Sequence, residues 1–192
     1  LFILLLILFA NMLLLKKRTS LQIKYGKTHI FLLSSAAITI CILLSVQVDE
    51  HFFYDLRFIP FLLGGLYGGT KVTIWLALTL VAIRIPLGGD GIWLTIILVI
   101  LSSIIIIKLT NRFFIKPIKW RLSITILLSF GYSIIGFLLP AIIYGFLDPF
   151  HYLTYALVLS LSTYFVLYLL EILRTIYVLQ LEAVKYEKME IV

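Results

Sequence analysis

Residues 55–91 read DLRFIPFLLGGLYGGTKVTIWLALTLVAIRIPLGGDG. The stretch is almost wholly apolar, yet Gly64-Gly65-Leu66-Tyr67-Gly68-Gly69 interrupts it in the middle. Asp55-x-Arg57 opens it, and Arg84 followed by Gly88-Gly89 closes it. A plain membrane anchor needs none of these features. Ionisable side chains and broken helices are costly in lipid, so they mark where a membrane protein handles a ligand or a signal.

The surrounding composition fits that reading. Of the 192 residues 62% are hydrophobic and 13% charged, against about 45–50% apolar and about 25% charged in soluble domains. The chain is read as an all-α integral membrane protein, a polytopic helical bundle. Its formal charge of +7 is no nucleic-acid footprint, because the basic residues cluster in loops between apolar runs, which is the topology signal of cytoplasmic loops. Cys41 is the only cysteine, which excludes an internal disulfide and a thiolate metal site. The chain opens on Leu1 and ends inside a helical pattern at Val192, so it is expected to be a piece of something longer.

Five apolar runs, residues 1–15, 30–48, 92–107, 123–146 and 152–173, are expected to span the bilayer, with residues 58–84 as a glycine-broken short helical hairpin. Together they make six to seven apolar segments. Lys16, Lys17, Arg18, Lys24 and Lys27 form one basic loop, and Lys108, Arg112, Lys116, Lys119 and Arg121 another. Both belong in the cytoplasm by the positive-inside rule, so the polar loops at 49–57 and 147–151 face outward and the charged tail is cytoplasmic. An odd number of crossings must then link residues 57 and 108. Residues 92–107 supply one, so the hairpin leaves the outer side and returns to it. Each arm has about a dozen residues, some 18–20 Å of helix against a hydrocarbon core of about 30 Å. Two short crossings and a re-entrant turn both remain open, with Lys71 able to snorkel from the turn. Either way the two ends of the hairpin meet on the outer side.

Asp55, Arg57, Arg84 and Asp90 thereby become one candidate cluster. Two guanidiniums can hold a carboxylate or phosphate in a way lysine cannot, which suggests a small-anion or charge-sensing pocket. The competing structural assignment pairs Asp55 with Arg84, or Arg57 with Asp90, to tie the hairpin closed. Gly64, Gly65, Gly68, Gly69, Gly88 and Gly89 are assigned to packing and turns. Gly88-Gly89-Asp90-Gly91 is followed by Ile92-Trp93, so it is neither a GGDEF box nor a phosphate loop. His51 and His151 are read as solvated loop residues, Trp93 and Trp120 as interfacial anchors, and Ser160, Ser162 and Thr163 as helix-packing groups. No catalytic triad, acid/base carboxylate pair, zinc-ligand spacing or Walker motif is present. No catalytic residue, metal or cofactor is therefore assigned to these 192 residues.

From Arg174 the sequence turns charged, RTIYVLQLEAVKYEKMEIV, with Ile176, Leu179, Ala183 and Tyr186 at spacings of three and four. That short seam reads as a helix leaving the membrane. Residues 1–173 are accordingly taken as a transmembrane sensor domain, and 174–192 as a cytoplasmic signalling helix leading to a domain outside the chain.

The set Asp55-x-Arg57, Pro60, Gly64–Gly69, Arg84 and Gly88-Gly89 resembles the membrane region of the LytS-type five-transmembrane receptors. These are found at the N-terminus of bacterial sensor histidine kinases and, less often, of diguanylate cyclases. The likeness is greatest to the sporulation kinase B group, and residues 186–192 resemble the entry to a kinase dimerisation helix. The resemblance implies a homodimer in the bacterial cytoplasmic membrane, and a downstream domain that binds ATP and magnesium and signals to a response regulator. The glycine pattern also looks like the capture subunits of energy-coupling-factor vitamin transporters, and a structural membrane partner is a further alternative. The open reading frame beyond Val192 separates them. A His-Glu-x-x-Asn-Pro-like box is the expected finding, a GGDEF box would make the protein a cyclase, and a stop codon would favour the transporter or partner.

Overall fold

A computed structural model describes residues 22–49, 52–54, 56–88, 92–144 and 149–190. Its elements run α1 (Gln22–Leu43), β1 (Val46–Asp49), β2 (Phe52–Tyr54), α2 (Phe58–Gly68), α3 (Thr70–Arg84), a 3-10 turn (Ile85–Leu87), α4 (Ile92–Phe113), α5 (Ile118–Tyr144) and α6 (Pro149–Glu190). Four of these helices are long and apolar enough to cross a membrane, over Gly26–Leu43, Ile92–Phe113, Ile118–Leu139 and Tyr152–Ile176. The protein is a polytopic helical membrane bundle. The four windows overlap four of the five expected spans, and the fifth, residues 1–15, lies outside the described residues.

One boundary differs from expectation. The run expected to span to residue 48 ends its helix at Leu43, and the chain turns at once into a short antiparallel ribbon. Val46 pairs with Tyr54, Gln47 with Phe53 and Asp49 with Phe52, with an irregularity between Gln47 and Asp49. Valines and aromatics favour this pleated pairing, so what composition alone marks as a polar loop is a small β-ribbon. At the other end α6 is one unbroken helix of 42 residues, about 63 Å at the α-helical rise. The expected last span and the charged tail are thus a single element.

The hairpin forms where the glycines place it. Pro60 falls in the first turn of α2, where its missing N–H costs nothing. Nine residues later Gly69 has φ 89° and ψ 179°, a conformation closed to side-chain-bearing residues. This single residue ends α2 and starts α3. Pro86 then halts α3, and Pro149 opens α6.

Helix α2 is the hub. It packs against α1, α3 and α4, and it touches α5 and α6. Every residue from Phe58 to Leu66 is buried. Such envelopment requires close approach on two sides. A methyl group at Gly64 would press on Ser34 Oγ and stand 2.7 Å from Ser34 Cβ and 2.8 Å from Leu76 Cδ1. One at Gly65 would stand 2.7 Å from Ile106 and 2.9 Å from Thr73. The pairs 64 with 76 and 68 with 72 also define α2 and α3 as an antiparallel pair.

Several hydroxyls along the long helices are satisfied within their own helices. Thr39 bonds the Ser35 carbonyl, Thr110 that of Ile106 and Ser133 that of Ser129, as a medium without water requires. Thr163 does so while accepting from Ser129 at 2.8 Å, which joins α5 to α6. These two helices pack chiefly on each other.

Gly64→Ala should lower stability in detergent by about 1–3 kcal/mol, the cost of overpacking a filled site. Gly131→Ala has open space at its Cβ position and should be neutral or gain up to about 1 kcal/mol from helix propensity. Equal thermal midpoints for the two variants would contradict the close approach of α1 to α2.

Candidate functional site

The hairpin has two polar ends, and sequence reasoning attended to only one. Arg57 caps the start of α2 and Arg84 is the last residue of α3. Extended at the same register, the pairing of 64 with 76 sets Arg57 level with Ile83. The two arginines therefore occupy the same open end. Arg84 is buried although charged, at 7% exposure, and Arg57 is half-buried. Both engage further groups. Asp55 and Asp90 lie outside the described residues, as do Gly89 and His51. Gly88 closes the 3-10 turn with φ 69°.

The closed end carries a polar cluster made from three separate elements. Tyr67, in the last turn of α2, donates its hydroxyl to Glu171 Oε1 on α6 at 2.8 Å. Arg121, in the first turn of α5, donates to the same oxygen at 2.5 Å. Arg121 and Glu171 are both buried, with side-chain exposures of 7% and 3%. Arg174, one turn beyond Glu171 and part-exposed, faces Oε2 at 3.7 Å. One carboxylate thus sits between two guanidiniums and a phenol.

Aromatic rings surround this cluster. The Tyr67 ring meets Phe113 and Phe114 edge-on, at centroid distances of 6.0 and 5.3 Å. The Arg121 guanidinium stands 5.8 Å from the Phe113 centroid, and that of Arg174 stands 4.9 Å from Phe114. Phe113 ends α4 and Phe114 follows it in the basic loop. The glycine turn of the hairpin therefore reaches the end of the bundle that carries Lys108, Arg112, Lys116 and Lys119.

Sequence reasoning missed the cluster because each member has an ordinary local reading. Arg121 is one of five basic residues in a loop, Glu171 sits at the edge of an apolar run, and Tyr67 lies among glycines. The available signal was Glu171 itself, an acid three residues ahead of Arg174 inside the end of a span. Other assignments are refined. Trp93 is largely exposed at the start of α4, as an interfacial anchor would be, whereas Trp120 packs partly on the core. Thr163 packs helices as expected, while Ser160 Oγ is buried without a hydrogen-bond partner.

Between α2, α4 and α5 lies an apolar cavity of about 100 Å³, bordered by Phe58, Leu62, Leu98, Ser102, Leu128 and Tyr132. The Ser102 hydroxyl is spent on the Leu98 carbonyl. Phe58 and Tyr132 stack beside it with centroids 3.9 Å apart.

A desolvated pair of this kind resists removal of one partner more than of both. Glu171→Leu and Arg121→Leu should each cost about 3–5 kcal/mol in detergent unfolding, and the double variant should cost distinctly less than the two losses added. Additive losses would mean that the two side chains do not meet.

Residues 7–159 match the family described as 5TMR of 5TMR-LYT. A relative with the name "Sensor protein DegM", from Bacillus sp. (strain B21-2), is 36% identical over 86 residues, 45% of this chain. That similarity spans 23% of the relative's own length. No solved structure matches the chain. With the family match extending over most of its length and over every element of the hairpin, the chain belongs to the 5TMR-LYT family of membrane regions.

Proposed function

We propose that this chain is the sensing and transmission region of a two-component sensor histidine kinase. In this reading it detects an envelope or small-molecule signal and controls autophosphorylation of a kinase domain that is not among these residues. ATP and magnesium would bind in that domain, which would pass its phosphoryl group to a response regulator. The basic loops face the cytoplasm, and α6 leaves the bilayer there as the connecting helix of a homodimer. The likeness to the sporulation kinase B group is part of the same proposal.

The observation that supports this most is the continuity of α6. It lies in the bundle at Leu159, Val166 and Leu170, and it runs without a break to Glu190. A stiff helix of this length carries a displacement made at one end to the other, which a transport subunit would not need. The hairpin supplies the complementary half. Its open end gathers Arg57 and Arg84, where two guanidiniums suit a small anion, with Asp55 and Asp90 as candidate partners. A membrane-embedded protein partner at the same end is the alternative stimulus. Ligand binding that favours one placement of the hairpin over another would then bias α6.

Arg84→Gln tests the sensing end. Replacing a buried charge by a neutral amide should leave membrane insertion intact and reduce the stimulated output of the full-length protein at least tenfold. Normal stimulated output at normal membrane levels would remove Arg84 from the sensing site.

A further inference from the structure

We propose that the Tyr67 hydroxyl is a latch that holds the hairpin to α6, and that opening it is the switching event of this domain. The proposal rests on the sensing reading for what opens the latch, whereas the latch itself is a claim about structure alone. Three observations carry it.

The first is position. Tyr67 stands two residues before Gly69, at the turn where α2 becomes α3. Its partner Glu171 lies on α6, where 19 further residues of unbroken helix follow to Glu190. The bond therefore joins the moving part of the proposed sensor to its output element across 104 residues of sequence.

The second is the way the bundle divides. Arg121–Glu171 and Ser129–Thr163 fasten α5 and α6 into a pair. The pair meets the other helices over a narrower contact, with the cavity of about 100 Å³ between it and α4. Two cross-contacts stand out on α2, the Phe58–Tyr132 stack and the Tyr67–Glu171 bond, nine residues or about 13 Å apart. Stacked rings can slide over each other. A hydrogen bond cannot, because it is lost when its length and angle leave a narrow range.

The third is the electrostatic state of Glu171. Its carboxylate has lone pairs enough for Arg121 and Tyr67 on one oxygen and Arg174 beside the other. When Tyr67 leaves, Glu171 keeps Arg121 and Arg174 as partners. The open state is therefore accessible without stranding a charge.

Removing only the hydroxyl should shift the balance toward the open state by about tenfold to a hundredfold, the range for a hydrogen bond to a charged acceptor. The test uses the 192-residue chain in lipid nanodiscs. Cys41 is replaced by alanine, and spin labels are placed at Thr70→Cys beside the turn and Leu179→Cys on α6, both exposed positions. Dilution with unlabelled chain restricts the measured distances to single copies. A single distance population is expected without further change, and Tyr67→Phe should add a second population or replace the first. Glu171→Gln keeps an acceptor for the tyrosine and should give an intermediate mixture, which also serves if Tyr67→Phe does not fold. Thr79→Val removes a hydroxyl that bonds only its own helix at the Trp75 carbonyl and should change nothing. Superimposable distributions for Tyr67→Phe and its parent would overturn the latch, as would a Thr79→Val shift of equal size. Kinase output of the full-length protein is read in parallel. A changed distance with unchanged output leaves the contact as structure but overturns its role as the switching event, and counts against the sensing reading as well.

Discussion

An eleven-residue apolar helix cannot cross a bilayer, and that constraint organises this molecule. At about 16 Å, α2 spans roughly half of the hydrocarbon core. Its ends would leave backbone N–H and C=O groups unpaired in lipid, where no water replaces the missing bonds. The stable solution is to enclose the helix in protein. Helices α1, α3 and α4 wrap it, and the α5–α6 pair closes the remaining side. Gly64 and Gly65 make this possible by removing the two side chains that would hold α1, α3 and α4 at a distance. Gly69 makes it compact by reversing the chain in one residue.

Enclosure of α2 also sets where the polar groups go. Charges at mid-helix would be stranded, so they gather at the two ends of the hairpin. Arg57 and Arg84 take the open end, while Tyr67 meets Arg121, Glu171 and Arg174 at the closed end. A buried ion pair contributes little net stability compared with apolar residues of the same volume, because desolvation cancels much of the attraction. Its value here is geometric. It sets the register of α5 against α6 and presents one carboxylate oxygen to the hairpin at the point where α6 leaves the bundle.

Sequence reasoning reached the membrane class, the four described spans and the hairpin because these depend on local properties. Apolar run length, glycine clusters and the distribution of lysine and arginine are all visible along the chain. Charge parity of the loops then places both hairpin ends together, in keeping with the level of Arg57 and Arg84. What it could not reach are features that depend on contact at long range. Nothing near Glu171 in sequence points to Arg121 or Tyr67, 50 and 104 positions away. The ribbon at Val46–Tyr54 was hidden because polar residues at its turn outweighed the alternation in two very short strands. The end of α1 was misjudged for a related reason. Hydropathy reports where a segment is apolar, whereas a helix continues for as long as its backbone bonds do.

The account depends most on the hairpin turn reaching the basic-loop end of the bundle, since only there can it touch α6 at its exit. Cysteine accessibility measures this directly. In intact and inverted membrane vesicles of a Cys41→Ala background, Thr70→Cys should react with a membrane-impermeant thiol reagent from the same face as Lys116→Cys, and not from the opposite face. Reaction of Thr70→Cys from the face opposite Lys116→Cys, or from neither, would mean that the turn stops short of that end, and the connection to α6 described here would be wrong.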